Sequence, residues 1–175
     1  MNIRKMLRIL AAVAIAVALI CVLPFIRFFS RTLPATVVVD GQVQESDVTV
    51  TIRGSLWDYL IRTREMKGTI TCSDYDVPFE ITKEASGFYP KEILPKGLNG
   101  LTFSSIDPTN PDYYVRDCKL FFNNKLDTFV LVVRDLGKDK ESAKVYVCTK
   151  NTDADPLEIM DLYLSPWDPS TERVQ

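Results

Sequence analysis

Cys72, Cys118 and Cys148 are the side chains of this chain best suited to nucleophilic chemistry. A thiol becomes a nucleophile only when a base or a positive field draws off its proton. The 175-residue chain contains no histidine. That excludes Cys–His and Ser–His–Asp systems, and with them every zinc site that uses histidine. Lys119 beside Cys118 gives no activation, because adjacent side chains of a strand point to opposite faces. Period-two parity groups Cys72 with Ile70, and Cys118 with Leu120 and Phe122, so both read as buried thiols packed like small hydrophobes. Three outer cysteines also permit three single disulfide pairings, each leaving one thiol over.

Oxygen donors cluster in "SDYD" (73–76) and "DPTNPD" (107–112). Neither has the twelve-residue spacing or terminal glutamate of a calcium loop, and Asp and Asn favour turns for local reasons. No glycine-rich phosphate cradle is present. The residues therefore point to no catalytic group, no metal and no cofactor. Two aromatic pairs remain. "GFYP" and "PDYYV" place Phe88, Tyr89, Tyr113 and Tyr114 in turn-rich segments, where exposed rings would act as interface anchors. The other aromatics read as core.

These side chains must be positioned mainly by strands. "TVVVDGQV" runs into Asp40-Gly41, a strong hairpin signal, and "DVTVTIRG" alternates β-branched residues with polar ones. "GTITC", "VPFEIT", "LTFSSI", "YVRDCKLFF", "DTFVLVVRD" and "SAKVYVCT" read as further strands with short polar links. "TFVLVV" is apolar on both faces and belongs at the centre of a sheet. One or two short helices are expected. In "GSLWDYLIRTREMKG", Ser55 caps, Leu56, Tyr59, Leu60 and Thr63 share a helical face, and Gly68 stops it. Near the C-terminus Asp155, Pro156 and Glu158 occupy the N-cap, first and third helical positions. The fold class is mainly β (α+β): an antiparallel sheet, sandwich or partly open barrel.

The N-terminal segment sets the expected location. Residues Ile9 to Ile26 carry no charge over 18 positions, roughly 27 Å as a helix and close to a bilayer core. Arg4, Lys5 and Arg8 precede it with no acid, so the amino end should stay cytoplasmic. No small-residue cleavage site follows, and Ile20 argues against lipidation of Cys21. The expected division is a basic tip (1–8), a transmembrane helix (9–29), a spacer (30–35), an extracytoplasmic β-domain (36–164) and an irregular tail (165–175). From Arg31 onward 17 basic residues face 23 acidic ones, net −6. Such a balance without a basic stripe argues against nucleic-acid binding.

The stretch "VTVTIRGSLWDYLIRTREMKGTITC" resembles a pattern in small, N-terminally membrane-anchored extracytoplasmic β-domain proteins of Gram-positive bacteria. In that pattern a strand ends in glycine, a short aromatic-rich helix follows and a second glycine opens the next strand. The resemblance implies an anchored β-domain and brings no catalytic residues. The expected function is a non-enzymatic binding or scaffolding role at the cell envelope, with the bilayer as one partner through residues 9–29. Two alternatives stand beside it: a sensing β-domain with an enclosed pocket for a small molecule or peptide, and a secreted form released by signal-peptide cleavage.

Overall fold

Among the described residues nine antiparallel strands curl into one sheet whose two ends nearly meet. The computed structural model describes residues 3–60, 63–106, 115–135 and 143–165. In chain order the elements are α1 (Ile3–Val22), β1 (Phe25–Val39), β2 (Gln42–Asp58), β3 (Glu65–Cys72), β4 (Phe79–Ile81) and β5 (Ser86–Phe88). After a single 3-10 turn at Lys91–Ile93 come β6 (Leu98–Ile106), β7 (Val115–Asn123), β8 (Thr128–Asp135), β9 (Ala143–Thr149) and α2 (Pro156–Leu164). The strand order is β4-β3-β2-β1-β9-β8-β7-β6-β5. β4 and β6 approach across the seam, which makes the sheet a nearly closed barrel.

Local chemistry explains the best-defined turns. Val39 pairs with Gln42, leaving Asp40 (φ 51°) and Gly41 (φ 76°) as the two central residues of a hairpin. Positive φ at both positions is the turn whose twist matches that of the flanking strands. The Asp155 carboxylate accepts from the Leu157 amide at 2.9 Å, capping α2 with Pro156 at its start as expected. α2 then covers the outer face of the barrel, where Tyr163 packs with Phe121, Val130 and Val147. That cover is why β8 is apolar on both faces: Val130 lies under α2 while Phe129 and Leu131 point inward.

The barrel interior is filled. Ile52, Ile70, Phe79, Phe103, Leu120, Phe129 and Tyr146 are all fully buried in one continuous cluster. Cys72, Cys118 and Cys148 are buried in the same core, and Cys72 and Cys148 are free thiols.

Tyr163 supplies a test of the α2 packing. Burial, with the Asp127 carboxylate adding to it, pushes its hydroxyl from an ordinary value near 10 up to about 12. The folded state therefore holds this proton more tightly than the unfolded chain. Below pH 10 both states keep it and its stabilisation is complete. Between about pH 10 and 12 the unfolded chain ionises first, and stability falls by about 1.4 kcal/mol per pH unit for one such group. Urea midpoints measured from pH 9 to 11.5 should fall less steeply in Tyr163→Phe. Identical slopes in the two proteins would show that this hydroxyl is not held.

Two expectations are overturned. Among the described residues of 55–67 there is no helix; β2 continues to Asp58, β3 begins at Glu65, and Leu56 pairs with Met66. The short amphipathic pattern is outweighed by pairing on both sides, since an isolated helix of that length is marginal. The extent of one helix over 9–29 is the second. α1 ends at Val22, and Phe25 already pairs with Asp58. Pro24 lacks an amide donor and disfavours helix in the residue before it, so the chain turns extended there. Among the described residues no helix is long and apolar enough to cross a membrane. The charge-free part of α1, Ile9–Val22, is roughly 21 Å long against a hydrocarbon core of about 30 Å. The expected spacer at 30–35 is likewise part of β1.

Candidate functional site

β1 is longer than its partner β9, and the excess creates a cleft. β9 pairs only with Ala35–Val39, whereas from Phe25 to Pro34 β1 is paired with β2 alone. Its other edge faces the turn between β7 and β8. The space between holds about 750 Å³, within the usual range for ligand sites.

Strand alternation gives the β1 wall its character. Leu33 and Ala35 are buried and Phe29 packs on the core, so the odd positions face inward. Arg27 and Arg31 share that parity and punctuate the apolar residues. Leu56 of β2 and Phe122 of β7 extend the apolar surface, and Lys125, Leu126, Asp127 and Lys150 complete the far side.

A polar network fixes the walls relative to each other. Arg27 Nη2 meets an Asp58 carboxylate oxygen at 2.9 Å, and Arg64 bonds the other oxygen of Asp58 through Nε. Arg64 also donates to the side-chain oxygen of Asn99, and the Asn99 amide donates to Asn124 at 3.0 Å and to the Phe122 carbonyl at 3.4 Å. Asn99 is only 6% exposed, and these bonds satisfy a polar group that would otherwise be costly to bury. One chain of contacts thus ties the β2–β3 hairpin to β6 and β7 across the cleft.

The β7–β8 turn is strained where it lines the site. Leu126 has φ 54° and is 7% exposed. A leucine in the left-handed region costs roughly 1–2 kcal/mol, and here the side chain is held against the core. The Asn123 side-chain oxygen braces the turn by accepting from the amides of Lys125 and Asp127, at 3.2 and 3.3 Å. The Lys150 amide donates to the Asp127 carbonyl at 2.9 Å, joining the turn to the end of β9.

The aromatic residues singled out from sequence sit elsewhere. Phe88 and Tyr89 are half buried. Phe88 meets Phe122 edge-on at 6.5 Å, beneath the Arg64 guanidinium at 5.9 Å, and Tyr89 stacks on Phe121 at 5.6 Å. Both line a second cleft of about 340 Å³ that shares Asn99 with the first. Tyr89 lies so close over Gly100 that a Cβ there would come within 2.8 Å of the ring. Tyr113 and Tyr114 lie outside the described residues, as does "DPTNPD".

At the other end of the barrel, Asp74 of "SDYD" accepts from the buried Tyr146 hydroxyl at 3.0 Å and faces Lys144 at 3.7 Å. Burial raises the Tyr146 hydroxyl pKa, and it does the same for the Cys72 and Cys148 thiols. These thiols are therefore protonated and screened, the opposite of what nucleophilic attack requires. Among the described residues no group of three metal-ligating side chains comes together.

Sequence reasoning missed Arg27, Arg31, Asn99, Lys125, Leu126 and Lys150. A signal existed in "FIRFFSRTL", where cations and apolar residues alternate at odd positions in the pattern of a half-buried strand. No protein-family model, curated protein or solved structure matches this chain.

Proposed function

We propose that this chain is a membrane-held, non-enzymatic binding protein, with α1 as its hold on the bilayer and the open cleft as its working surface. The observation that carries the reading is the exposure of α1. Ile9, Leu10, Val13, Ile15, Val17 and Leu19 all lie open to the surroundings, and Ala11, Ala14 and Ala18 fill the remaining arc. Among the described residues α1 packs extensively on no strand. A helix that is apolar all round and unpacked needs a non-aqueous environment.

Phe25, Ile26 and Phe28 continue the exposed apolar surface into β1, with Phe28 83% exposed. Cations bracket the stretch: Arg4, Lys5 and Arg8 on one side, Arg27 and Arg31 on the other. That order suits insertion of the apolar part with the cations at headgroup level. The filled interior favours a surface cleft over an enclosed sensing pocket as the place of binding.

Flotation of the full chain with phosphatidylcholine vesicles tests the membrane reading. The wild-type chain should float, and Ile15→Lys/Leu19→Lys should reduce vesicle binding more than tenfold, because each charge costs about 3 kcal/mol in a membrane helix. Circular dichroism of the barrel should not change, since among the described residues α1 packs extensively on no strand. Equal flotation of the two proteins would sink the proposal. The short charge-free length also fits the apolar core of a signal peptide. Mass spectrometry of the chain recovered from its native cells would support that secreted reading if the product began beyond α1.

A further inference from the structure

The cleft concentrates positive charge in a domain that is acidic as a whole. Arg31 from β1, Lys125 from the β7–β8 turn and Lys150 after β9 all line it. None of the three has an ion pair among the described residues, whereas Arg27 is engaged by Asp58. The acid among the described lining residues, Asp127, already accepts from the Asn123 side-chain amide. Three separate segments thus bring unneutralised cations to one cavity, and the hydrogen bond from the Lys150 amide to the Asp127 carbonyl holds two of those segments together.

An anion alone would not explain the rest of the lining. Leu33, Leu56 and Leu126 supply an apolar floor, and the strained backbone at Leu126 keeps its side chain there. Resting on the reading of this chain as a membrane-held binding protein, we propose that the cleft takes one anionic amphiphile: a phosphate or carboxylate head facing Arg31, Lys125 and Lys150, and an acyl chain on the leucine floor. The cleft opens beside the first residues of β1, directly after α1. A lipid drawn from the bilayer would therefore reach it over a short path. Charge-assisted contacts give the head its preference, and the apolar floor distinguishes an amphiphile from a free anion.

The decisive experiment is a calorimetric titration of the full chain in phosphatidylcholine nanodiscs. The probes are dihexanoyl phosphatidic acid, dihexanoyl phosphatidylcholine and inorganic phosphate, each below any micelle concentration. One saturable site is expected for the phosphatidic acid, at least tenfold tighter than for either control and weaker at high salt. Arg31→Gln/Lys125→Gln/Lys150→Gln should lower that affinity at least tenfold with the thermal midpoint unchanged, because all three side chains are exposed. Phosphate binding as tightly as phosphatidic acid would overturn the acyl-chain half of the proposal. Equal binding of the two lipids, or an unaffected triple variant, would overturn the charge half, and an absence of saturable binding would overturn both. The same titration in a neutral detergent reads the cleft without the bilayer. Failure of the chain to attach to discs, with saturable binding in detergent, would count against the membrane reading and leave the ligand proposal standing.

Discussion

Replacing Gly54 with alanine is expected to cost about 3 kcal/mol or more of folding stability, one of the two largest losses foreseen for this protein. Gly54 and Gly68 face each other across β2 and β3. A Cβ on Gly54 would lie 2.1 Å from the Lys67 carbonyl oxygen and 2.8 Å from the Gly68 Cα. In Gly68→Ala the new Cβ would meet the Arg53 carbonyl oxygen at 2.1 Å. Carbon and oxygen normally approach no closer than about 3.3 Å, so the strands would have to part by more than an ångström. They cannot do so by fraying, because the ladder continues to Trp57–Glu65 on one side and Val50–Cys72 on the other. For a chain of this size the thermal midpoint should fall by roughly 6–12 °C. The double variant should lose less than the two single losses combined, because strands parted for one methyl already make room for the other. Thermal and urea unfolding of the three variants measure both points. Single variants that melt within a degree of wild type would mean that the two strands do not approach this closely.

Phe79→Ala should cost about 3–5 kcal/mol, the usual range for emptying a fully buried phenylalanine site. The consequence here is more than a cavity. Phe79 belongs to β4, the three-residue strand at one end of the sheet, and β4 approaches β6 to close the barrel. Its ring meets Tyr75 edge-on at 4.9 Å and lies 5.9 Å from the Arg116 guanidinium. A short edge strand has little ladder to hold it, so its position depends on this side chain. Amide exchange should therefore quicken in β6 beyond what the global loss explains. Phe129→Ala provides the comparison: it empties a fully buried site of the same size on β8, which does not pair with β6. If the two variants gave the same exchange pattern in β6, Phe79 would be an ordinary core residue and not the seal of the barrel.

The elements that could be read from the sequence were those whose signals are local. Asp40-Gly41 implies its turn because both residues tolerate positive φ. Asp155 and Pro156 start α2 because a side-chain acceptor and a missing amide solve a problem confined to one helical turn. The two-faced apolar run of β8 implies cover on both sides, although not that α2 supplies it. Residues 55–67 failed for a matching reason. Over so few positions a helical face and a strand alternation fit the same letters, and pairing of β2 with β1 and β3 decides between them. The glycines misled most. Gly54 and Gly68 look like punctuation in one dimension, yet they lie inside paired strands as a point of close approach.

The sequence by itself determined an acidic, histidine-free β-protein with an apolar N-terminal stretch, because composition and period-two patterning are properties of single segments. The end of that stretch was settled by pairing, which draws Phe25–Phe29 out of a would-be helix and into register with β2. The cleft was also settled in three dimensions. Arg31, Lys125 and Lys150 are far apart along the chain, and a cavity needs walls from several strands at once. Neither its volume nor its uncompensated charge exists until β1 runs past the end of β9.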